Sequence, residues 1–98
     1  MTEQPQDSEA LRPDLNQIVS AFGMQALIAC GKMMNPVSRK YETDLAMAHY
    51  HIGVLEVLQA KTAGNATDEE KQLLEDILHQ TRMAYLDASR GVGKVSTE

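Results

Sequence analysis

Apolar residues recur at helical spacing in three stretches of this chain, and polar segments separate the stretches. The clearest stripe lies near the C-terminus and consists of Leu73, Leu74, Ile77, Leu78, Thr81, Ala84 and Tyr85. Acidic residues such as Glu75 and Asp76 fall on the opposite side of that helix. Spacings of three and four residues are typical of an amphipathic α-helix, whereas a strand would alternate at every second residue. The pattern therefore predicts an all-α protein with three helices.

Capping residues and a loop signal indicate where these helices begin and end. Asp14 is a good N-cap for a first helix from about Leu15 to Met33. The pair Asn35-Pro36 favours a loop. Thr43 is the expected cap of a second helix over roughly Asp44 to Thr62, and a third covers about Asp68 to Ala88.

The break between the second and third helices has the strongest local signals. Gly64 and Asn65 end the second helix, because glycine just past a helix adopts the left-handed conformation at no steric cost. Thr67 followed by Glu70 has the pattern of a reciprocal capping box. So short a break folds two helices back on each other. We predict a three-helix bundle in which helices 2 and 3 form an antiparallel hairpin.

The domain organisation follows from the polar ends of the chain. Residues 1–13 are polar and lack periodicity, so we expect a disordered tail. Residues 14–89 form the three-helix domain. Residues 90–98 contain few apolar side chains and are expected to be a flexible tail.

Five short motifs match one known family. They are Ala26-Leu27-Ile28 with Gly31, Asn35-Pro36, Asp44-Leu45 with Ala48, Lys61-Thr62 with Gly64-Asn65, and Arg82-Met83 with Tyr85. On these motifs the chain resembles the DUF1844 family of small uncharacterised bacterial proteins. Thr81 departs from the pattern, because the family has leucine before the arginine. The resemblance supports the three-helix fold and implies no activity.

Charge and composition argue against several classes of partner. The formal charge is −5, and only Lys32, Arg39 and Lys40 cluster, whereas nucleic-acid binding needs many grouped cations. No apolar run is long enough to span a bilayer. The N-terminus has no apolar segment typical of a signal peptide, and a single cysteine, Cys30, fits a reducing compartment. We expect a cytoplasmic protein without a nucleic-acid or membrane partner.

The residues with reactive side chains do not form a recognisable site. His49 and His51 are about 200° apart around a helix axis and cannot bind one ion together. We interpret His51 as a structural histidine and Cys30 as a small buried hydrophobe. Arg82, at the edge of the apolar stripe, is a candidate for an ion pair with another helix or chain. The sequence predicts no catalytic residue, metal or cofactor, and no enzymatic activity.

Helices 1 and 2 have more apolar surface than one core stripe requires. The surplus residues that we assign to an interface are Met24, Leu27, Ile28, Met47, Tyr50 and Val54. A small domain without a disulfide or metal gains stability from association, so we expect a homo-oligomer, most simply a dimer about a two-fold axis.

The alternative is the binding of an apolar ligand or amphipathic peptide in a groove between helices. Its expected lining residues are Met24, Met33, Met34 and Met47, whose flexible side chains suit variable apolar guests. In either case the sequence predicts a non-catalytic interaction module. Another protein partner is possible, and the sequence does not identify it.

Overall fold

The computed structural model describes the backbone of residues 13–97 and the side chains of residues 13–91. Three helices make up the fold: α1 covers Leu15–Ala29, α2 covers Leu45–Thr62 and α3 covers Asp68–Thr97. Each helix packs against the other two. The prediction of an all-α three-helix bundle is therefore confirmed. Residues 1–12 of the predicted disordered tail lie outside the described part.

Each helix contributes two residues to the main core. They are Val19, Ala26, Ile52, Leu55, Leu74 and Leu78. A smaller cluster contains Ala29, Cys30, Ala48 and Ala88. Thr81 is also buried, and its Oγ1 donates a hydrogen bond to the carbonyl oxygen of Ile77 at 2.8 Å. The buried hydroxyl of Thr81 is therefore hydrogen-bonded, and its burial leaves no unsatisfied polar group.

α1 ends four residues before the predicted end at Met33. Gly31 adopts a left-handed φ of 77°. Its N–H donates to the carbonyl of Ile28, and the N–H of Lys32 donates to the carbonyl of Leu27, both at 2.9 Å. This pair of bonds is a Schellman motif, which satisfies the last carbonyls and stops the helix. The prediction that the helix reaches Met33 is wrong because Gly31 acts as its terminator.

The start of α2 also differs from the expectation. The N-cap is Asp44, whose carboxylate accepts a hydrogen bond from the Met47 N–H at 3.1 Å. Thr43, the expected cap, instead forms an isolated antiparallel bridge with Cys30. The bridge ties the start of α2 to the end of α1.

The turn between α2 and α3 contains the predicted cap residues. Gly64 has a φ of 87°, in the left-handed region that glycine adopts without strain. Thr67 Oγ1 accepts from the Glu70 N–H at 3.1 Å, and Glu70 Oε1 accepts from the Thr67 N–H at 2.8 Å. The two bonds form a capping box that fixes the start of α3.

α3 continues to Thr97, beyond the predicted end near Ala88. Residues 89–97 include glycines but no proline, so no residue there lacks the N–H that a continuing helix needs. The flexibility predicted for residues 90–98 stays a prediction, since the side chains after residue 91 lie outside the described part.

α1 and α3 approach closely at Gly23. A Cβ atom built at Gly23 would lie 2.7 Å from Cγ2 of Ile77, which is closer than real Cβ contacts. Glycine at this position therefore makes room for Ile77 and sets the separation of the two helices.

Candidate interaction surface

α2 is apolar on nearly all sides. Between Leu45 and Ala60, Glu56 is the only Asp, Glu, Lys or Arg. The side toward the other helices contains the buried residues Ala48, Ile52 and Leu55. A helix that is apolar all round is typically surrounded by other protein or lipid, yet this bundle covers only one side of α2.

The uncovered side of α2 exposes a row of large apolar side chains. Tyr50 is 60% exposed, Val57 is 57% exposed, and Met47 is also exposed. Val54 is partly buried. Their spacing of three, four and three residues is that of the contact seam between two packed helices. The row is about 15 Å long at 1.5 Å per residue.

Small residues follow one edge of this row at intervals of seven. They are Ala46, Gly53 and Ala60. A Cβ atom built at Gly53 would meet no atom within 4 Å. The fold of one chain therefore gives no packing reason for glycine here, although glycine in a helix interior costs about 0.5–1 kcal/mol relative to alanine. We call the whole surface the outward face of α2; its residues are Ala46, Met47, Tyr50, Gly53, Val54, Val57, Ala60 and, as the single charged member, Lys61.

An ion pair and a histidine ring border the outward face. On the side of α3, Arg82 Nη2 lies 2.9 Å from Glu56 Oε2, so the arginine pairs with a carboxylate of another helix. On the side of α1, the ring of His51 lies 5.9 Å from that of Phe22 and 5.4 Å from that of Tyr50. Nδ1 of His51 is buried and has no hydrogen-bond partner among the described groups.

The six residues predicted to form one interface do not lie together. Met24 and Leu27 line a groove between α1 and α3, on the flank of α1 away from α2. Ile28 is only 8% exposed and lines the depression between α1 and α2. Met47, Tyr50 and Val54 do share the outward face of α2. Its further members Gly53 and Val57 were not among the six, although the three-four spacing could have indicated Val57.

The methionines predicted to line one groove are also separated. Met24 and Met33 lie in the groove between α1 and α3, together with Leu27 and Ile77; its volume is about 180 Å³. Met34 is exposed. Met47 is at the border of the outward face of α2, where it also lines the depression between α1 and α2.

A second group of exposed apolar side chains belongs to the loop between α1 and α2. Asn35 Oδ1 accepts from the Val37 N–H at 2.8 Å, and Arg39 has a left-handed φ of 61°. This tight turn leaves Val37 and Tyr41 in solvent. These two residues lie in a loop and are not part of the regular row on α2.

Cys30 is poorly placed for nucleophilic chemistry. The residue is 3% exposed, and burial raises the pKa of its thiol; the Lys32 ammonium lowers that pKa by a smaller amount. The reactive thiolate is therefore disfavoured. Within residues 13–91, no three His, Cys, Asp or Glu side chains are grouped to hold a metal ion. Over residues 13–97, no helix has the length and apolarity to cross a membrane.

Comparison with known proteins identifies the family. The model of the family described as a domain of unknown function, DUF1844, matches residues 12–87, which is most of the chain. Comparison with curated proteins and with solved structures gave no match. The matched range contains all of α1 and α2 and most of α3, so the chain belongs to the DUF1844 family.

Proposed function

We propose that this protein is a non-catalytic helical module that self-associates, with the outward face of α2 as its main contact surface. The observation that carries the proposal is the row of exposed apolar residues from Met47 to Val57 on that face. The largest continuous apolar patch on the surface of a monomer is often a functional interaction site. The buried Cys30, with its raised thiol pKa, supports the non-catalytic part.

The charge of this face is compatible with a second copy as the partner. Each chain has a formal charge of −5, so acidic groups inside the contact would add to the repulsion between two copies. The outward face of α2 adds no such repulsion, because it contains no carboxylate and only Lys61 at its end. The aliphatic and aromatic side chains supply the hydrophobic driving force.

The size of the face predicts a modest affinity. An 18-residue helix is about 27 Å long and about 10 Å wide, so the face is a strip on the order of 300 Å². A standard protein interface buries about 800 Å² per partner. We therefore expect a weak, transient dimer in equilibrium with the monomer.

The test is the mass in solution, measured by light scattering after size exclusion over a concentration series. The unmodified chain should approach the dimer mass as concentration rises. Tyr50→Glu and Val57→Glu should remain monomeric, because each places a carboxylate inside the contact. The matched control is Met83→Glu, since Met83 is 51% exposed on α3 and lies outside the face. Circular dichroism checks that each variant keeps its helices. A monomeric unmodified chain, or a Tyr50→Glu chain that still dimerises, refutes the proposal.

A second candidate function is the binding of an apolar group in the groove between α1 and α3. Met24, Met33, Leu27 and Ile77 give this groove a flexible apolar lining. Its volume of about 180 Å³ is below the 300 Å³ or more of a typical small-molecule site. It therefore fits one side chain of a peptide better than a whole cofactor. Concentration-dependent thermal stabilisation by amphipathic helical peptides, abolished in Leu27→Asp, would support this function.

We place this module in the cytoplasm as part of the same proposal. Cys30 is the single cysteine and is a free thiol, which fits a reducing compartment. Fractionation of cells that produce the tagged protein would test this location.

A further inference from the structure

We infer that the two copies pair α2 against α2 in antiparallel orientation, across a two-fold axis that passes beside Gly53 and Val54. This inference rests on the proposed self-association and adds the identity, direction and register of the contacting residues. Three features of the outward face support it: its length, the separation of small and large residues onto opposite edges, and the position of its one charge.

The length of the face determines the register. The face begins at Ala46 and ends at Lys61, so its midpoint lies between residues 53 and 54. In an antiparallel pair, an axis at the midpoint places the whole of one face against the whole of the other. An axis displaced along the helix would leave apolar residues at one end of each face in water. The register that buries most apolar area is favoured.

The two edges of the face are compatible with this symmetry. A two-fold axis perpendicular to both helices keeps each edge of the face against the same edge of the partner. Gly53 then meets the partner's Gly53, with Ala46 close to the partner's Ala60, and these small residues let the two backbones approach closely. The open space around Gly53 in the single chain is the room that such an approach requires.

The larger side chains fill the rest of the contact. Val54 meets the partner's Val54 on the other edge, and Tyr50 lies across from the partner's Val57 at the centre. Tyr50 and Val57 are the most exposed apolar residues of the face, so their pairing removes the largest apolar area from water.

The charge of Lys61 favours the antiparallel direction. Lys61 is near the C-terminal end of α2, while Asp44 and Glu42 lie at the N-terminal end. Antiparallel pairing brings Lys61 near the partner's Asp44. It also places the positive N-terminal end of one helix dipole beside the negative C-terminal end of the other. Parallel pairing would place Lys61 beside the partner's Lys61 and bring the acidic ends together. Opposite charges attract and like charges repel at these short separations.

Disulfide cross-linking tests the direction. In the antiparallel pair, position 50 of one chain faces position 57 of the other. Position 50 of one chain and position 50 of the other lie seven residues apart along the helix axis, which is about 10 Å. Disulfides need Cα atoms within about 7 Å. A mixture of Tyr50→Cys and Val57→Cys chains should therefore form the mixed disulfide, and each variant alone should form about tenfold less self-disulfide.

Val54→Cys is the second variant, because residue 54 lies at the axis and should cross-link with its own copy. The unmodified chain is the control, since its Cys30 is buried and should not cross-link. Oxidation is carried out at a concentration where the unmodified chain is dimeric by mass. The expected result is a self-disulfide from Val54→Cys and a mixed disulfide from the pair.

The other outcomes overturn the inference and are distinguishable. Self-disulfides from Tyr50→Cys alone, at the level of the mixture, would show a parallel pair. A dimeric mass without a cross-link from any variant would show that another face is used, and would leave self-association intact. A monomeric mass at every concentration would overturn both the inference and the proposed function.

Discussion

Gly53 and Gly23 are both glycines in the interior of a helix, but they differ in what a methyl group would meet. At Gly53 an added Cβ has no neighbour within 4 Å, whereas at Gly23 it would lie 2.7 Å from Ile77 Cγ2. Alanine is favoured over glycine in a helix by about 0.5–1 kcal/mol. Gly53→Ala should therefore stabilise the single chain by that amount, which raises Tm by roughly 2–8 °C for a domain of this size.

The same substitution should weaken the dimer, because it adds two methyl groups where the backbones of the two copies approach. Overpacking of a close contact costs about 1–3 kcal/mol. Since 1.4 kcal/mol corresponds to a factor of ten, the dissociation constant should rise about 5- to 100-fold. A variant that is more stable as a monomer and weaker as a dimer cannot be explained by general damage to the fold.

Two assays separate the effects. Thermal unfolding is followed by circular dichroism in a Tyr50→Glu background, where the chain is expected to be monomeric and Tm is independent of dimerisation. The dissociation constant is measured by light scattering in the otherwise unmodified chain. Gly23→Ala is the matched control: its gain in helix propensity is opposed by the clash with Ile77, so its Tm should fall, with a net cost of about 1 kcal/mol.

Two results would refute this reasoning. A lower Tm for Gly53→Ala would mean that the space beside Gly53 is needed within the single chain. A dissociation constant that is unchanged would mean that the two copies do not cross at Gly53.

Four further predictions concern the core, a cap, a buried thiol and the surface charge. Leu55→Ala should destabilise the chain by about 3 kcal/mol in urea unfolding, because Leu55 is fully buried; a cost under about 1 kcal/mol would contradict its place in the core. Thr67→Ala should cost about 1 kcal/mol and Thr67→Ser much less, since serine keeps the capping oxygen; equal losses would exclude the cap as the cause. Burial raises the pKa of the Cys30 thiol, so the folded chain holds that proton more tightly than the unfolded chain. Its contribution to stability is complete below the unfolded thiol pKa of about 8.5 and is lost as pH rises through the folded pKa. Cys30→Ala should remove this alkaline loss, and identical pH profiles would refute it. Lys61→Glu should weaken the dimer about tenfold at low salt, by placing two acids together, whereas the control Lys40→Glu in the loop should have little effect; equal effects would indicate that only net charge matters.

The local features of the fold were readable from the sequence. Asp14 caps α1 by accepting from the Gln17 N–H at 2.9 Å, and Thr67 with Glu70 caps α3. These bonds join residues three positions apart, so short patterns determine them. The spacing of apolar residues along each helix similarly indicates which side of the helix packs in the core. A glycine inside an apolar pattern is compatible both with a continuing helix and with a helix end. The apolar pattern continues past Gly31, so the sequence analysis extended the helix to Met33.

The tertiary structure decided which surplus apolar residues remain exposed. Periodicity gives the angle of a residue around its own helix, but not which neighbour occupies that angle. Ile28 was expected to be exposed on the far side of α1, but the tertiary structure buries it. Gly23 and Gly53 look alike in sequence, yet an added Cβ would clash with Ile77 at Gly23 and would meet no atom within 4 Å at Gly53. Arg82 could have paired with several carboxylates, and the packing of α2 on α3 brings it to Glu56. Such contacts join residues far apart in the chain, so they depend on the positions of whole helices, which only the packed core determines.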